Sequence, residues 1–324
     1  MSQEYRTLRT IGRYFKERFG VRVRKIPITL QGFTCPNIDG TKARGGCIYC
    51  CNESFSPSFK KLDPTERLQM NFSLVHNSIL ELQRKQLREQ FFWHADFHKR
   101  KFDIQKYMIY FQSYSNTYAP IDTLKTLYED AFNLPQVVGM SIGTRVDCVE
   151  LELLDWLESY VKKGFEIWIE YGVQSVYDKT LQLINRAHDT KNIELLFRET
   201  RKRGIKVCAH LIYGLPQETK EMMLYSLQKT LQWGIDGIKI HPLYVIKNTK
   251  LAQMYKKGEY QPIGLQDYGD LIVESLKIIP PEIVIQRISS GAHEPTLLAP
   301  QWCFDKNIQM RYLRDLLREV KIQY

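Results

Sequence analysis

From residue 106 onward the chain alternates short apolar runs with amphipathic segments, and that alternation restricts it to few architectures. The runs read YMIYFQSY, VVGMSIGT, EIWIEYGVQS, KVCAHLIYGLP, GIKIHPLYVI and EIVIQRISS. Most are separated by stretches of helical period, among them IDTLKTLYEDAF, CVELELLDWLESYVKKG, VYDKTLQLINRA and NIELLFRETRKRG. Strands with few polar interruptions are buried on both faces, as in a parallel sheet covered by helices. KIPITLQGFTC adds a strand upstream. Six or seven such units predict an α/β fold, a partial or complete (β/α) barrel of the TIM type. Chemistry in such folds collects at the carboxyl ends of the strands. The polar residues expected there include Gln112, Ser113, Ser115 and Asn116, then Thr144, Arg145 and Asp147. Gln174, Ser175, His210, His241, Tyr244, Arg287 and Ser290 follow on later strands.

The first strand runs into CPNIDGTKARGGCIYCC, which carries Cys35, Cys47 and Cys50 with the spacing C-x11-C-x2-C. The loop lands on the same rim as the strand ends. Thiolates so close in sequence can converge on one soft metal centre. Gly40, Gly45 and Gly46 let the backbone wrap it. Three cysteines suit a [4Fe–4S] cluster with one iron left open. A structural zinc site needs four ligands, for which Cys51 or a distant histidine would have to serve. Three unrelated buried cysteines are the remaining reading. Cys51 follows Cys50 directly and is expected to point elsewhere.

The chain has 324 residues, a net charge of +10 and a sequence pI of about 9.1. The length suits one large α/β domain or two smaller ones. No apolar run long enough for a membrane span occurs, and no secretory leader is recognisable, so a cytoplasmic protein with no membrane partner is expected. Seven cysteines in such a chain point to reduced thiols in metal or redox use. The positive charge favours a polyanion, nucleic acid first, though a merely basic protein carries it as well. Residues 1–25 concentrate this charge in Arg6, Arg9, Arg13, Lys16 and Arg18, interleaved with Tyr14, Phe15 and Phe19. They predict a helix over about 5–19, lying along a phosphate backbone or capping the main domain. A long polar helix is expected within 60–106, with His94 and His98 one turn apart at its solvated end. The expected organisation is a basic N-terminal helix (1–25), a barrel (26–290) and a C-terminal extension (291–324) ending in a basic helix. Cys148, Cys208 and Cys303 read as small core residues, with hydrogen donors or ligands of a second cluster as the alternative.

A family is visible in an ordered set of strings: TCPNIDGTKARGGCIYC, YFQSYSNTYAP, SIGTRVDC, EYGVQS, INRAHD, HLIYGLPQET, KIHPLYVIKNTKLAQMY and QRIS. With them, nearly the whole chain resembles the radical SAM enzymes, specifically the branch called YhcC, YtqA or MnmL, relatives of the elongator catalytic subunit. The resemblance implies a barrel of the radical SAM kind. It implies that Cys35, Cys47 and Cys50 ligate a [4Fe–4S] cluster whose open iron chelates S-adenosylmethionine. One electron then cleaves that molecule to methionine and a 5′-deoxyadenosyl radical, which abstracts a substrate hydrogen. Tyr49 would contact adenine. Gln112, Ser113, Ser115 and Asn116 stand where a glycine-rich strand end usually holds the methionine amino group. Gln174 and Arg186 match ribose-side and carboxylate-side positions of coproporphyrinogen oxidases, and His210 stands where those carry an aspartate. The chain departs from the pattern in its long first cysteine spacing, in Gly143 where an acidic residue is frequent, in Val146 where a proline is expected, and in the replaced glycine-rich motif. The resemblance further implies transfer RNA as partner, with the wobble uridine trimmed from a 5-carboxymethylaminomethyl towards a 5-aminomethyl side chain. It implies an electron donor such as flavodoxin or ferredoxin, and leaves room for a downstream methyltransferase. Rival readings are a radical SAM enzyme of a small molecule or peptide, and a zinc-bearing RNA-binding protein without catalysis.

Overall fold

The computed structural model describes residues 5–51, 70, 77–292 and 296–324. The start of the polar stretch expected within 60–106 lies outside the described residues. Numbered along the chain, the strands are β1 (Arg6–Thr7), β2 (Val23–Ile28), β3 (Lys106–Phe111), β4 (Val137–Thr144), β5 (Glu166–Gln174), β6 (Lys206–Tyr213), β7 (Gly237–Pro242), β8 (Val245–Ile246), β9 (Val284–Arg287), β10 (Leu297–Ala299) and β11 (Ile322–Gln323). Seven of them form one parallel sheet in the order β2-β3-β4-β5-β6-β7-β9. It is a curled half-barrel, the partial form of the expected fold.

Alternation along each strand sorts the side chains. One face sends Ile26, Ile28, Ile109, Phe111, Met140, Ile142, Ile169, Val207 and Ile240 into the layer between sheet and helices. Each such burial stabilises by about 1.5–3 kcal/mol. The opposite face lines the barrel in tiers. Met108, Trp168, Cys208 and Val284 make an apolar floor. Above it come Lys25, Tyr110, Glu170, His210 and Lys239, and then the strand ends.

Helix α1 (Ile11–Phe19) closes the floor. Thr10 caps it by accepting from the Arg13 N–H, and Gly20 ends it at φ 71°. Tyr14 and Phe15 are buried against Trp168 and Met108, and the Tyr14 hydroxyl donates to Glu166. This corrects the expected helix over 5–19. Residues 6–7 are a strand paired with β11, and Thr10 bridges to Ile285, so the helix starts only at Ile11. Arg6, Arg9 and Arg13 are half-buried and bond to the fold, while Arg18 is exposed. Arg6 donates to the carbonyls of Lys277 and Ile279. Arg9 pairs with Glu17 at 2.9 Å and reaches the Glu282 carbonyl. Arg13 donates to the Leu8 and Gln323 carbonyls. The N-terminal segment is therefore a cap, fastened to the C-terminal strand. The final helix, Lys306–Glu319, packs on Leu265–Ile278. No helix among the described residues is long and apolar enough to cross a membrane. His94 and His98 stack on one another with centroids 6.4 Å apart, and His94 is buried.

Candidate active site

One large cavity, about 1000 Å³, opens at the carboxyl ends of the strands and is lined by Cys35, Cys47, Cys50 and Tyr49 from the cysteine loop. The loop is tied to the segment after β5. The Ile48 N–H donates to the Ile184 carbonyl at 3.1 Å, and Asn185 Nδ2 donates to the carbonyls of Arg44 and Gly46 at 3.0 and 2.7 Å. Asn37 returns the tie, donating to the Asn185 and Arg186 carbonyls. Gly45 and Gly46, at φ 82° and 72°, adopt the left-handed backbone that this reversal requires.

Cationic groups face the thiols. Arg145 Nη1 lies 3.8 Å from Cys35 Sγ, and Arg186 Nη1 and Asn37 Nδ2 each lie 3.7 Å from Cys47 Sγ. Arg145 is held by Asp147 through two bonds, at 2.8 and 2.9 Å. Burial alone would raise the Asp147 carboxyl, but Arg145 and then Lys42 hold it well below the usual carboxylate range. Burial, then the neighbouring Cys47 and Cys35, pushes the Cys50 thiol up. Burial and Cys47 do the same to the Tyr49 hydroxyl. Among the described residues, no three His, Cys, Asp or Glu side chains stand close enough to share a single ion. Cys51 does not line the cavity and packs against the cluster of Ile246, Ala292, Leu297 and Cys303.

Arg186 and Gln174 meet over Gly172. Arg186 donates to the Gly172 carbonyl at 2.7 Å and to His188 Nε2 at 3.1 Å. A Cβ at Gly172 would stand 2.7 Å from Arg186 Nη2 and 2.9 Å from Gln174 Nε2, so the glycine makes their convergence possible. Gln174 itself sits at φ 72° beside a register shift in β5. After β3, Gln112 and Ser115 line the cavity but Ser113 and Asn116 do not. Ser113 bonds to Thr29 at 2.8 Å, and Asn116 Nδ2 donates to the Gly143 carbonyl at 2.9 Å. Those two side chains fix the turn after β3. Gly143 lines the cavity where a Cβ would approach the Phe111 carbonyl to 3.1 Å.

His210 lines the cavity too, but its Nε2 is engaged by Glu170 at 3.0 Å. Glu170 is fully buried and also binds Lys25 at 2.6 Å and Lys239. Burial would raise its carboxyl, but Lys239 and Lys25 keep it well below the ordinary value. Burial and then Lys239 bring His210 down to about 4, so it is neutral near pH 7. Sequence reasoning missed Lys25, Glu170, Lys239, Gln286 and Lys306. The available signal was a charge at an inward-facing position of an otherwise apolar run, as in EIWIEYG and GIKIH.

Residues 39–229 match the radical SAM superfamily, and residues 235–319 match the radical SAM C-terminal domain. The chain belongs to the radical SAM superfamily. It is 38% identical over 306 residues to protein YhcC of Escherichia coli K12, covering 94% of this chain and 91% of that one. It is 34% identical over 297 residues to YtqA of Bacillus subtilis, covering 92% and 85%. Elongator complex protein 3 of Homo sapiens is 31% identical over 206 residues, 59% of this chain but 36% of that protein. Among solved structures, the archaeal Methanocaldococcus infernus Elp3 superposes with a TM-score of 0.60 at 17% identity, covering 93% of this chain and 64% of that one. That likeness concerns the fold alone. As a radical SAM protein the chain is an enzyme of a superfamily that uses an iron–sulfur cluster and S-adenosylmethionine.

Proposed function

We propose that Cys35, Cys47 and Cys50 hold a [4Fe–4S] cluster, that Tyr49, Gln112, Ser115, Gln174 and Arg186 receive S-adenosylmethionine, and that the substrate is the 5-side chain of the wobble uridine in transfer RNA. The observation that carries the cofactor part is the meeting of three thiols with the Arg186–Gln174 pair in one cavity. The donor set fits the cluster. Arg145, Arg186 and Asn37 stand 3.7–3.8 Å from the Cys35 and Cys47 sulfurs, where their N–H groups would donate to sulfurs that ligate the cluster. When bound, the cluster supplies, from a donor such as flavodoxin or ferredoxin, the electron that splits S-adenosylmethionine and so yields a radical able to remove a substrate hydrogen. The protein's own part is positional. Arg186 and Gln174 fix one end of the cofactor, Tyr49 presents a ring to it, and the apolar floor under α1 keeps water from entering below. The substrate part rests on the kinship with elongator complex protein 3 and on the excess of cations facing the cavity.

Two measurements test this. Anaerobic reconstitution is expected to give a brown protein that cleaves S-adenosylmethionine, while Cys47→Ala keeps its fold and loses its iron. An iron-replete Cys47→Ala protein would refute the ligand assignment. Nucleoside mass spectrometry of bulk tRNA is expected to show accumulation of the 5-carboxymethylaminomethyl form in cells lacking the gene. An unchanged profile would refute the wobble-uridine substrate and turn attention to small molecules and peptides.

A further inference from the structure

The cavity faces more positive charge than cofactor binding requires. Seven of its lining residues are Arg or Lys, and one, Glu170, is acidic. Glu170 answers Lys25 and Lys239. Asp147, outside the lining, answers Arg145. Arg186 is committed to Gly172 and Cys47, and Arg24 lies over the Phe102 ring at 5.5 Å. Two cations remain, Arg287 and Lys306. Among the described residues neither makes an ion pair or a side-chain hydrogen bond.

The two belong to one wall. Arg287 ends β9, in register with Lys239 of β7. Lys306 opens the final helix at the cavity rim. Burial of its ammonium, then Arg287 and Lys239, brings Lys306 down to about 8. His241, two residues beyond Lys239, stacks on His210 at 5.8 Å and keeps Nε2 buried without a hydrogen-bond partner. Both Arg287 and Lys306 act on its charge. This is the β7–β9 side of the cavity, whereas Arg145 and Arg186 follow β4 and β5. Uncompensated cations beside an unsatisfied buried nitrogen cost stability in the empty protein, and an anion supplied from outside relieves all three at once.

We propose that Arg287, Lys306 and His241 form an anion subsite that receives an oxyacid group, carboxylate or phosphate, at the reacting end of the substrate. A guanidinium offers two parallel N–H bonds to such a group, the ammonium adds a point charge, and the imidazole adds one directional bond. The subsite lies inside the barrel beside the Glu170 network, so it reads the end of the substrate that enters the cavity. On the wobble-uridine reading the group is the carboxylate of the 5-side chain; that identification rests on the reading, while the subsite itself does not.

The experiment uses reconstituted protein without RNA and three probes followed by calorimetry: N-benzylglycine, its methyl ester and inorganic phosphate. The acid is expected to bind at least about tenfold more tightly than the ester, one factor of ten being about 1.4 kcal/mol. Arg287→Gln and Lys306→Gln are each expected to weaken the acid by a similar factor, and Arg287→Lys to restore part of it. Equal binding of acid and ester, no binding of either anion, or an Arg287→Gln protein that binds the acid as before would overturn the subsite. Thermal midpoints of the variants report whether they fold; since neither side chain bonds another element and each carries an uncompensated charge, they are expected to equal or exceed the parent's. Phosphate binding more tightly than the acid would assign the subsite to a substrate phosphate. The two proposals fail separately. Acid binding without consumption of 5-carboxymethylaminomethyluridine in tRNA removes the wobble-uridine reading and leaves the subsite. Consumption with an unchanged KM in Arg287→Gln removes the subsite and leaves the reading.

Discussion

Gly172 shows how one residue shapes the site. It lies on the inward face of β5, and its missing side chain is the space in which Arg186 and Gln174 meet. Arg186 cannot swing away at no cost, because it is pinned to the Gly172 carbonyl and to Cys47. Gly172→Ala is therefore expected to fold, and to weaken S-adenosylmethionine binding by about tenfold, the scale of one charge-assisted hydrogen bond. Equilibrium dialysis of the reconstituted protein checks this, and unchanged affinity would show that the pair does not hold the cofactor. Much at this scale was legible in the sequence. The cysteines, Gln174 and Arg186 sit in local motifs whose spacing survives folding. The orientation of Ser113 and Asn116 was not legible, because a polar residue at a strand end can turn sideways into the backbone as readily as inward, and only the neighbouring strand decides which. The Asn116 partner is the carbonyl of Gly143, one strand away.

Among the elements, the strands were the most legible part. The run VVGMSIGT is β4 itself, and the helix IDTLKTLYEDAF runs over Ile121–Phe132. Both are long, periodic and bounded by turn residues. Helix α1 was misjudged at its start because the pairing that stops it, Arg6–Thr7 with Ile322–Gln323, joins the two termini, and no local signal announces a partner some 300 residues away. The consequence is that the basic N-terminal segment acts in stability. Phe15→Ala is expected to cost about 3–5 kcal/mol by opening the floor of the barrel. Arg13→Glu is expected to lower the denaturation midpoint, since it removes bonds to the Leu8 and Gln323 carbonyls and places a carboxylate beside them. Urea titrations measure both. If Arg13→Glu changed tRNA affinity at unchanged stability, the segment would be an RNA contact after all.

Across the whole molecule, the buried group Lys25–Glu170–Lys239–His210 joins four strands from the inside, and it was invisible in the sequence because its members are spread over some 200 residues. Removing one partner of a buried ion pair costs about 3–5 kcal/mol, whereas replacing all partners by apolar side chains of similar size is often close to neutral. Glu170→Gln is thus expected to be strongly destabilised, while Lys25→Met/Glu170→Met/Lys239→Met regains most of the stability and loses the charged tier above the apolar floor. The pH dependence separates this network from ordinary surface charge. Burial brings Lys25 down to about 8, despite the raising effect of Glu170, whereas in the unfolded chain its value is about 10.4. Between those values the unfolded state binds more protons than the folded one, so stability rises with pH there. Below pH 8 the folded protein carries the full cost of a charged Lys25. Denaturation free energies between pH 7 and 10 are expected to rise for the parent relative to Lys25→Met, by about 1–3 kcal/mol over the window. A parent and a Lys25→Met protein with parallel pH profiles would mean that Glu170 already compensates Lys25 in full, and that the interior of the barrel stores no electrostatic strain for a substrate anion to relieve.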